Sequence, residues 1–338
     1  MLDSHPELSI PGECHVLYKI ARQRSLGLWP RPRSPRWAEA FLQSALSDPH
    51  MKAWNLQPDP LRSRVEALPD QGLGELFRAL YDEYLAGTGK ARWGDKTPMH
   101  VQYMWILDAF FPRARFIHVI RDARDVVQSA LKKPWGPRHI SHGGLYWKWL
   151  VLSGMFTGRI LGPERYLEIR FEDLLVDPES TLRKATAFAG LEYTDQLLRY
   201  HEGESARAYA EAGDQGSSRL FSPIQRDRLY KWRESMSGPH QKSILRQAGA
   251  VLALNGYDCD GMPDSEKRDL ERLQELLSGE APKRIELAAS PRKGSEIGLQ
   301  LGLQFDRLKM ARAFFARDWE AWSRTGIRWQ RTVTSLLE

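Results

Sequence analysis

The chain has 338 residues, of which 42% are hydrophobic and 27% charged, and its net charge is +6. This size allows one large domain with its own core and an accessory segment. The basic residues are scattered and form no dense run, which argues against a nucleic-acid-binding protein. No apolar run approaches the length of a membrane span. The two cysteines, Cys14 and Cys259, fit no metal-site spacing and favour reduced thiols in a cytoplasmic protein, although one disulfide between them stays open.

The first candidate site residue lies in a turn, residues 10–15, that leads into an amphipathic helix. Glu13 follows Pro-Gly in this turn, and a lone glutamate in such a place is more often a solvated or helix-capping side chain. A carboxylate within hydrogen-bond reach of a hydroxyl can instead act as a general base. His15 is a second candidate for that role, since an imidazole can take up a proton near neutral pH.

A second turn, WGDKTP at residues 93–98, follows a helix that apolar spacing predicts over 73–85. Pro98 suits the first position of the next helix, which places Lys96 near a helix N-terminus, where anions are stabilised. Most single lysines are solvated surface charges, and that alternative stands beside the anion-binding one.

A strand followed by a helix is predicted next. The run FIHVI (116–120) is rich in β-branched and aromatic residues, which is typical of a buried parallel strand, and Asp122 suits the N-cap of the helix. Arg121 follows the strand at its carboxyl end, where open α/β sheets bind ligands, and its guanidinium suits phosphate. The hydroxyl of Ser129 could supply a further donor. The alternative is that Arg121 pairs with Asp122 or Asp125 and that Ser129 bonds within its own helix.

The later part of the chain predicts a second strand over 166–171 and a polar loop over 202–220. Residues 266–277 predict a charged helix. Residues 295–336 predict a long amphipathic helix, for which packing on the domain is the default. Self-association, or contact with a partner or membrane surface, is the alternative role of that helix.

Four motifs together resemble those of sulfotransferases that use 3′-phosphoadenosine-5′-phosphosulfate (PAPS). In the family's order and spacing they are WGDKTP (93–98), FPRAR (111–115), the strand and helix over 116–129, and YLEIRFEDL (166–174). The resemblance covers roughly residues 1–258 and is nearest to bacterial sulfotransferases related to tyrosylprotein sulfotransferases. It implies an α/β fold of the P-loop NTPase-like type, with a central parallel sheet flanked by helices, over a domain of residues 1–260. Residues 261–338 would then be a helical C-terminal extension.

The resemblance also implies a reaction and a set of site residues. The enzyme would move a sulfuryl group from PAPS to a hydroxyl on a small molecule or peptide and leave 3′-phosphoadenosine-5′-phosphate. Glu13 matches the family's catalytic base, and Lys96 matches the lysine that stabilises charge on the transferred group and its leaving oxygen. Arg121 and Ser129 match the pair that binds the 3′-phosphate. The further cofactor-binding residues are Lys133, Phe171 (a tyrosine in many relatives), Ser217, Ser218 and Lys231.

The same chemistry requires no metal. His139 and His142, in a predicted loop over 135–144, have no third ligand nearby, so we interpret them as loop residues, with lining of the acceptor site as the alternative. Residues 25–70 are rich in proline and tryptophan and match the family least well. They correspond to an insert that shapes the acceptor pocket in such enzymes, or they form a surface excursion held by buried indoles.

The beginning of the chain departs from the family pattern. Residues 1–8 resemble the end of the family's first helix, which relatives precede with a strand and a 5′-phosphosulfate-binding loop of the type P-R-S-G-T-T. This sequence contains no such loop, so we expect the domain to be incomplete at its N-terminus. That expectation keeps a non-catalytic nucleotide-binding or scaffolding protein open as an alternative. A kinase-like P-loop phosphotransferase is less favoured, because it needs a Walker lysine and a Mg²⁺-binding hydroxyl.

Overall fold

The computed structural model describes residues 1–25, 34, 36–203 and 222–278. Its strands are β1 (Leu8–Ser9), β2 (Arg92–Trp93), β3 (Phe116–Ile120) and β4 (Tyr166–Arg170). The helices of the first half are α1 (Val16–Ser25), α2 (Trp37–Leu46), α3 (Pro58–Glu66), α4 (Leu73–Ala86), α5 (Met104–Phe110) and α6 (Ala123–Ala130). Those of the second half are α7 (Ile140–Leu161), α8 (Phe171–Val176), α9 (Pro178–Ala189), α10 (Trp232–Ser235), α11 (Gly238–Leu254) and α12 (Asp264–Ser278).

The strands form two parallel pairs. β1 pairs with β2, and β3 pairs with β4 so that Phe116 lies opposite Tyr166 and Ile120 opposite Arg170. The expected α/β class with parallel strands is confirmed. Within the described residues each strand has a partner on one edge only, so the predicted central sheet is present as two separate ladders.

The expectation that β3 is fully buried is wrong. Of its five residues only Ile120 is buried, and the side chain of Val119 is 52% exposed. The reason is that β3 has a single neighbouring strand in the part of the chain described, so much of its surface stays accessible.

The helix boundaries follow local signals in most places. The Asp122 side chain accepts a hydrogen bond from the Arg124 N–H and caps α6, as predicted. α7 is an exception, because it begins at Ile140 and takes in His142, which the sequence placed in a loop. Gly143 lies in this first turn, where a Cβ would stand 2.5 Å from Val127 of α6. Glycine is therefore present here for close helix packing and not to make a loop.

Two hydrophobic clusters form the core. The first joins α1–α5, and it includes the indoles of Trp37 and Trp54, which are buried. The second joins α6, α7, α10, α11 and α12. The predicted charged helix is α12, and its buried Glu266 and Asp269 both contact the buried ammonium of Lys148 on α7.

No helix in the described ranges is both long and apolar enough to cross a bilayer. The two cysteines are not bonded to each other; Cys14 is buried and Cys259 half-buried. The predicted amphipathic helix over 295–336 lies outside the described residues.

Candidate functional site

The structure brings Glu13 and Lys96 into direct contact. The Lys96 ammonium donates a hydrogen bond of 2.7 Å to Glu13 Oε1, although the two residues are 83 positions apart. The Lys96 side chain is 60% exposed and that of Glu13 is 34% exposed. This ion pair is thus reachable from solvent, and a ligand can approach both members.

The turn that carries Glu13 is held on both sides by buried hydrogen bonds. The Cys14 N–H donates to Thr97 Oγ1 at 2.9 Å. The Gly12 carbonyl accepts from the indole N–H of Trp54 at 3.2 Å. The first of these bonds joins the Glu13 turn directly to the residue after Lys96, so the two turns are fixed to each other through a main-chain group.

Asp95 organises the turn that carries Lys96. Its carboxylate accepts from Tyr81 Oη at 2.6 Å and from Thr97 Oγ1 at 3.0 Å, and it lies 2.7 Å from Nδ1 of His100. Burial raises the pKa of Asp95, but the His100 charge and these hydrogen bonds outweigh it and hold the pKa below its usual value. Sequence reasoning missed Asp95 and Tyr81 as site residues. The available signal was a carboxylate next to Lys96 in a turn.

A histidine contacts the other oxygen of the Glu13 carboxylate. His15 Nε2 lies 3.2 Å from Glu13 Oε2, and its side chain is 24% exposed. The His15 ring also packs against the ring of His50, and the two ring centroids are 4.1 Å apart. The sequence had offered His15 as a rival base; in the structure it is a direct neighbour of Glu13.

A second group of predicted residues lies at the carboxyl ends of β3 and β4. Arg121 follows Ile120, and Phe171 follows the paired Arg170, so that the Arg121 guanidinium carbon lies 4.7 Å from the centre of the Phe171 ring. Arg121 Nη2 also lies 3.3 Å from the carbonyl of Arg228 and 3.5 Å from Asp125 Oδ2. Pairing with Asp125, the alternative from the sequence, is therefore present as a long contact.

Arg121 keeps an unused donor. Its Nε is buried and has no hydrogen-bond partner among the described residues. A buried guanidinium nitrogen without an acceptor is costly unless a ligand supplies one. This observation fits an anionic ligand at this position.

The remaining predicted cofactor residues are less closely grouped. Ser129 on α6 and Lys133 just after it are exposed, as is Lys231 at the start of α10. The segment of Lys231 is fixed beside α6, because the Trp232 N–H donates to Asp125 Oδ1 at 2.9 Å. Ser217 and Ser218 lie outside the described residues.

Helix α7 connects the two groups of residues. Tyr146 Oη lies 3.3 Å from the sulfur of Met99, three positions after Lys96. The next residue, Trp147, donates from its indole N–H to the carbonyl of Arg121 at 3.0 Å. Two successive residues of one rigid helix thus contact the surroundings of both groups.

The described residues contain no cluster of three or more histidine, cysteine, aspartate or glutamate side chains placed to hold a metal ion. His139 and His142 are neighbours, with ring centroids 5.3 Å apart.

Comparison with known proteins assigns the chain. The model of the sulfotransferase family matches residues 1–195, which is more than half of the sequence. The chain belongs to the sulfotransferase family. Sulfuryl transfer is therefore its class of chemistry.

Individual relatives support this assignment at low identity. Protein-tyrosine sulfotransferase 1 of Danio rerio is 23% identical over 271 residues, covering 78% of this chain and 69% of the relative. Protein-tyrosine sulfotransferase A of Caenorhabditis elegans is 22% identical over 278 residues, covering 78% and 64%. The omega-hydroxy-beta-dihydromenaquinone-9 sulfotransferase Stf3 of Mycobacterium bovis is 33% identical over 108 residues, 28% of each chain. The match thus spans about two thirds of the length of these two tyrosine sulfotransferases.

A solved structure confirms the fold. The sulfotransferase domain from the Synechococcus PCC 7002 olefin synthase has a TM-score of 0.53 and 23% identity, and the match covers 76% of this chain and 88% of that domain.

Proposed function

We propose that this protein transfers a sulfuryl group from PAPS to a hydroxyl acceptor, with Glu13 as general base and Lys96 as electrostatic stabiliser. The observation that carries the proposal is the 2.7 Å contact between these two side chains. A proton acceptor and a fixed cation at one point are what the reaction needs, because the attacking hydroxyl loses a proton while negative charge grows on the leaving oxygen.

Each member of the pair has capacity for its role. A carboxylate oxygen has two lone-pair sites, so Glu13 can accept a hydroxyl proton while it keeps its existing contacts. The Lys96 ammonium has three N–H donors, and Glu13 occupies one of them. Two donors stay available for anionic oxygens.

PAPS supplies the activated sulfuryl group, and the residues at the ends of β3 and β4 would hold its nucleotide. Arg121 and Ser129 would bind the 3′-phosphate, and Lys133 and Lys231 would add positive charge beside them. The Phe171 ring lies 4.7 Å from the Arg121 guanidinium carbon, and Arg121 Nε, which has no partner among the described residues, is the donor that a phosphate would use. Ser217 and Ser218 stay predicted contacts.

We further propose that the acceptor is a hydroxyl on a small molecule or a peptide. The relatives' names cover both kinds, since one group acts on protein tyrosine and another on an omega-hydroxy-beta-dihydromenaquinone. A domain of residues 1–260 with a helical extension, and a cytoplasmic location suggested by the two cysteines, belong to the same proposal.

The test is transfer of labelled sulfate from PAPS, by the full-length protein, to tyrosine peptides, phenols and primary alcohols. We expect Glu13→Gln to lower the rate by about 10²-fold or more, because the base is lost. Glu7→Gln is the matched control, since the Glu7 side chain is exposed and the carboxylate that pairs with Lys96 is that of Glu13, and it should leave the rate unchanged. A wild-type protein that transfers sulfate to none of these acceptors, or a Glu13→Gln variant as fast as wild type, would contradict the proposal.

A further inference from the structure

The two oxygens of the Glu13 carboxylate have different neighbours, which bears on where Glu13 passes the proton that it takes from the acceptor hydroxyl. One oxygen, Oε1, faces the Lys96 ammonium at 2.7 Å, and the other, Oε2, faces His15 Nε2 at 3.2 Å. An ammonium has no lone pair and cannot accept a proton. A neutral imidazole nitrogen can. Among the described residues that contact Glu13, His15 is therefore the one able to receive a proton from it.

The surroundings of His15 are balanced in charge. Its ring packs on that of His50, whose Nδ1 lies 3.0 Å from Asp48 Oδ1. The Asp48 carboxylate is fully buried and is paired with the ammonium of Lys19 at 2.9 Å. The ion pairs Asp48–Lys19 and Glu13–Lys96 each have a net formal charge of zero. His15 thus has one carboxylate on each side, Glu13 in direct contact and Asp48 through His50.

We infer that His15 is a second proton carrier, which takes from Glu13 the proton lost by the acceptor hydroxyl; this role rests on the function proposed above. As the acceptor oxygen bonds to sulfur and the bond from sulfur to the leaving phosphate oxygen breaks, the hydroxyl proton passes to Glu13 Oε2. It then moves to the lone pair on Nε2 of the neutral His15 ring, whose hydrogen is on Nδ1, and the resulting imidazolium gives up one proton to water, so that the ring and the carboxylate both return to their starting charges.

This sequence of steps returns Glu13 to its charged form without breaking its contact with Lys96. The exit to water is available, since the His15 side chain is 24% exposed. His15 acts through Glu13 and does not need to touch the substrate. Its contribution depends on the imidazole's ability to take up and release a proton, and not only on its contact with Glu13.

The experiment compares His15→Gln with His15→Ala in the full-length protein, with labelled PAPS and a working acceptor. Glutamine keeps a polar side chain beside Glu13 but cannot take up a proton, so we expect kcat to fall about tenfold with little change in the KM for PAPS. Added imidazole should restore part of the rate of His15→Ala. His240→Gln, an exposed histidine at the start of α11, is the matched control and should behave as wild type.

A second readout does not depend on turnover. The His15 ring is followed by NMR at constant pH, and we expect its Nε2 resonance to change when Glu13 is replaced by glutamine, because Glu13 Oε2 lies 3.2 Å from that nitrogen. A His15→Gln variant with the wild-type rate and pH profile, and a His15→Ala variant that imidazole does not rescue, would overturn the carrier role alone. If the wild-type protein transfers no sulfate, the function proposed above fails and the carrier role fails with it, even if the NMR coupling is present.

Discussion

The two groups of site residues are built in different ways. Glu13 and Lys96 are joined by a 2.7 Å bond, and the turns behind them are joined through Thr97, which accepts from the Cys14 N–H at 2.9 Å. Arg121 instead makes polar contacts of 3.3 and 3.5 Å and leaves its Nε without a partner in the described part of the chain. The difference indicates that the proposed catalytic pair is preorganised by the protein, whereas the proposed nucleotide-binding group offers donors to which a ligand would bind.

The largest effect that this comparison predicts is at Lys96. Lys96→Met removes the cation that faces the developing negative charge, and we expect the transfer rate to fall about 10²- to 10³-fold at saturating PAPS. Lys96→Arg keeps the charge but changes its geometry and should retain part of the activity. A Lys96→Met variant within threefold of the wild-type rate, measured with labelled PAPS, would show that the ion pair is only a surface contact.

The next effect concerns nucleotide affinity. Arg121→Ala should weaken binding of 3′-phosphoadenosine-5′-phosphate about 10- to 100-fold by calorimetry, because charge-assisted hydrogen bonds to the 3′-phosphate are lost. Arg113→Ala is the control, since this exposed arginine precedes β3 at the opposite end of the strand. Equal affinities for the two variants would remove Arg121 from the proposed phosphate site.

A smaller effect should appear in stability. Thr97→Val keeps the side-chain shape but leaves the buried Cys14 N–H without its acceptor and removes a donor to Asp95. We expect the free energy of unfolding to fall by about 1–3 kcal/mol in urea titrations. Thr97→Ser restores the hydroxyl and should recover most of the loss. If the two variants are equally stable, the hydroxyl does not hold the two turns together.

The smallest effect is a pH dependence that separates the two regions. Partial burial of His118 on β3 lowers the pKa of its ring from 6.5 to about 4, so the folded protein keeps this ring neutral where the unfolded chain protonates it. The neutral His118 ring makes its full contribution to the free energy of unfolding above pH 6.5. This contribution is lost as pH falls toward about 4, by at most about 1.4 kcal/mol per pH unit. Asp95, with a lowered pKa, contributes above its usual 3.8 and loses that contribution only in stronger acid.

Urea titrations at about pH 7, 6 and 5 check this difference. His118→Gln should have a shallower loss of stability over that range than the wild type, while Asp95 itself stays ionised throughout that range. A His118→Gln variant with the wild-type slope would mean that the His118 ring is not shielded from protons in the fold.

Local patterns in the sequence predicted the elements that carry the site. The β-branched run before Arg121, the Asp122 cap and the turn before Pro98 each depend on neighbouring residues, so they could be recognised without tertiary information. The start of α7 could not be recognised in this way. Gly143 looks like a loop residue by propensity, and only the close approach of Val127 explains its place in a helix.

The sequence predicted which residues form the site better than it predicted how those residues contact one another. Glu13 and Lys96 were selected through their resemblance to a family, since nothing in the local sequence relates positions 83 apart. The role of Asp95 depends on Tyr81 and His100 meeting one carboxylate, which requires the folded chain. Pairwise contacts of this kind arise from packing between elements and leave no periodic signal.

The central claim, that Glu13 and Lys96 act as one catalytic unit, is tested most directly by a double-mutant cycle. The rate of sulfuryl transfer at saturating PAPS is measured for wild type, Glu13→Gln, Lys96→Met and the double variant. We predict that each single change costs about 10²-fold or more, and that the double variant is within about threefold of the slower single variant. A double variant whose loss of rate equals the product of the two single losses would contradict the account, as would a single variant close to the wild-type rate.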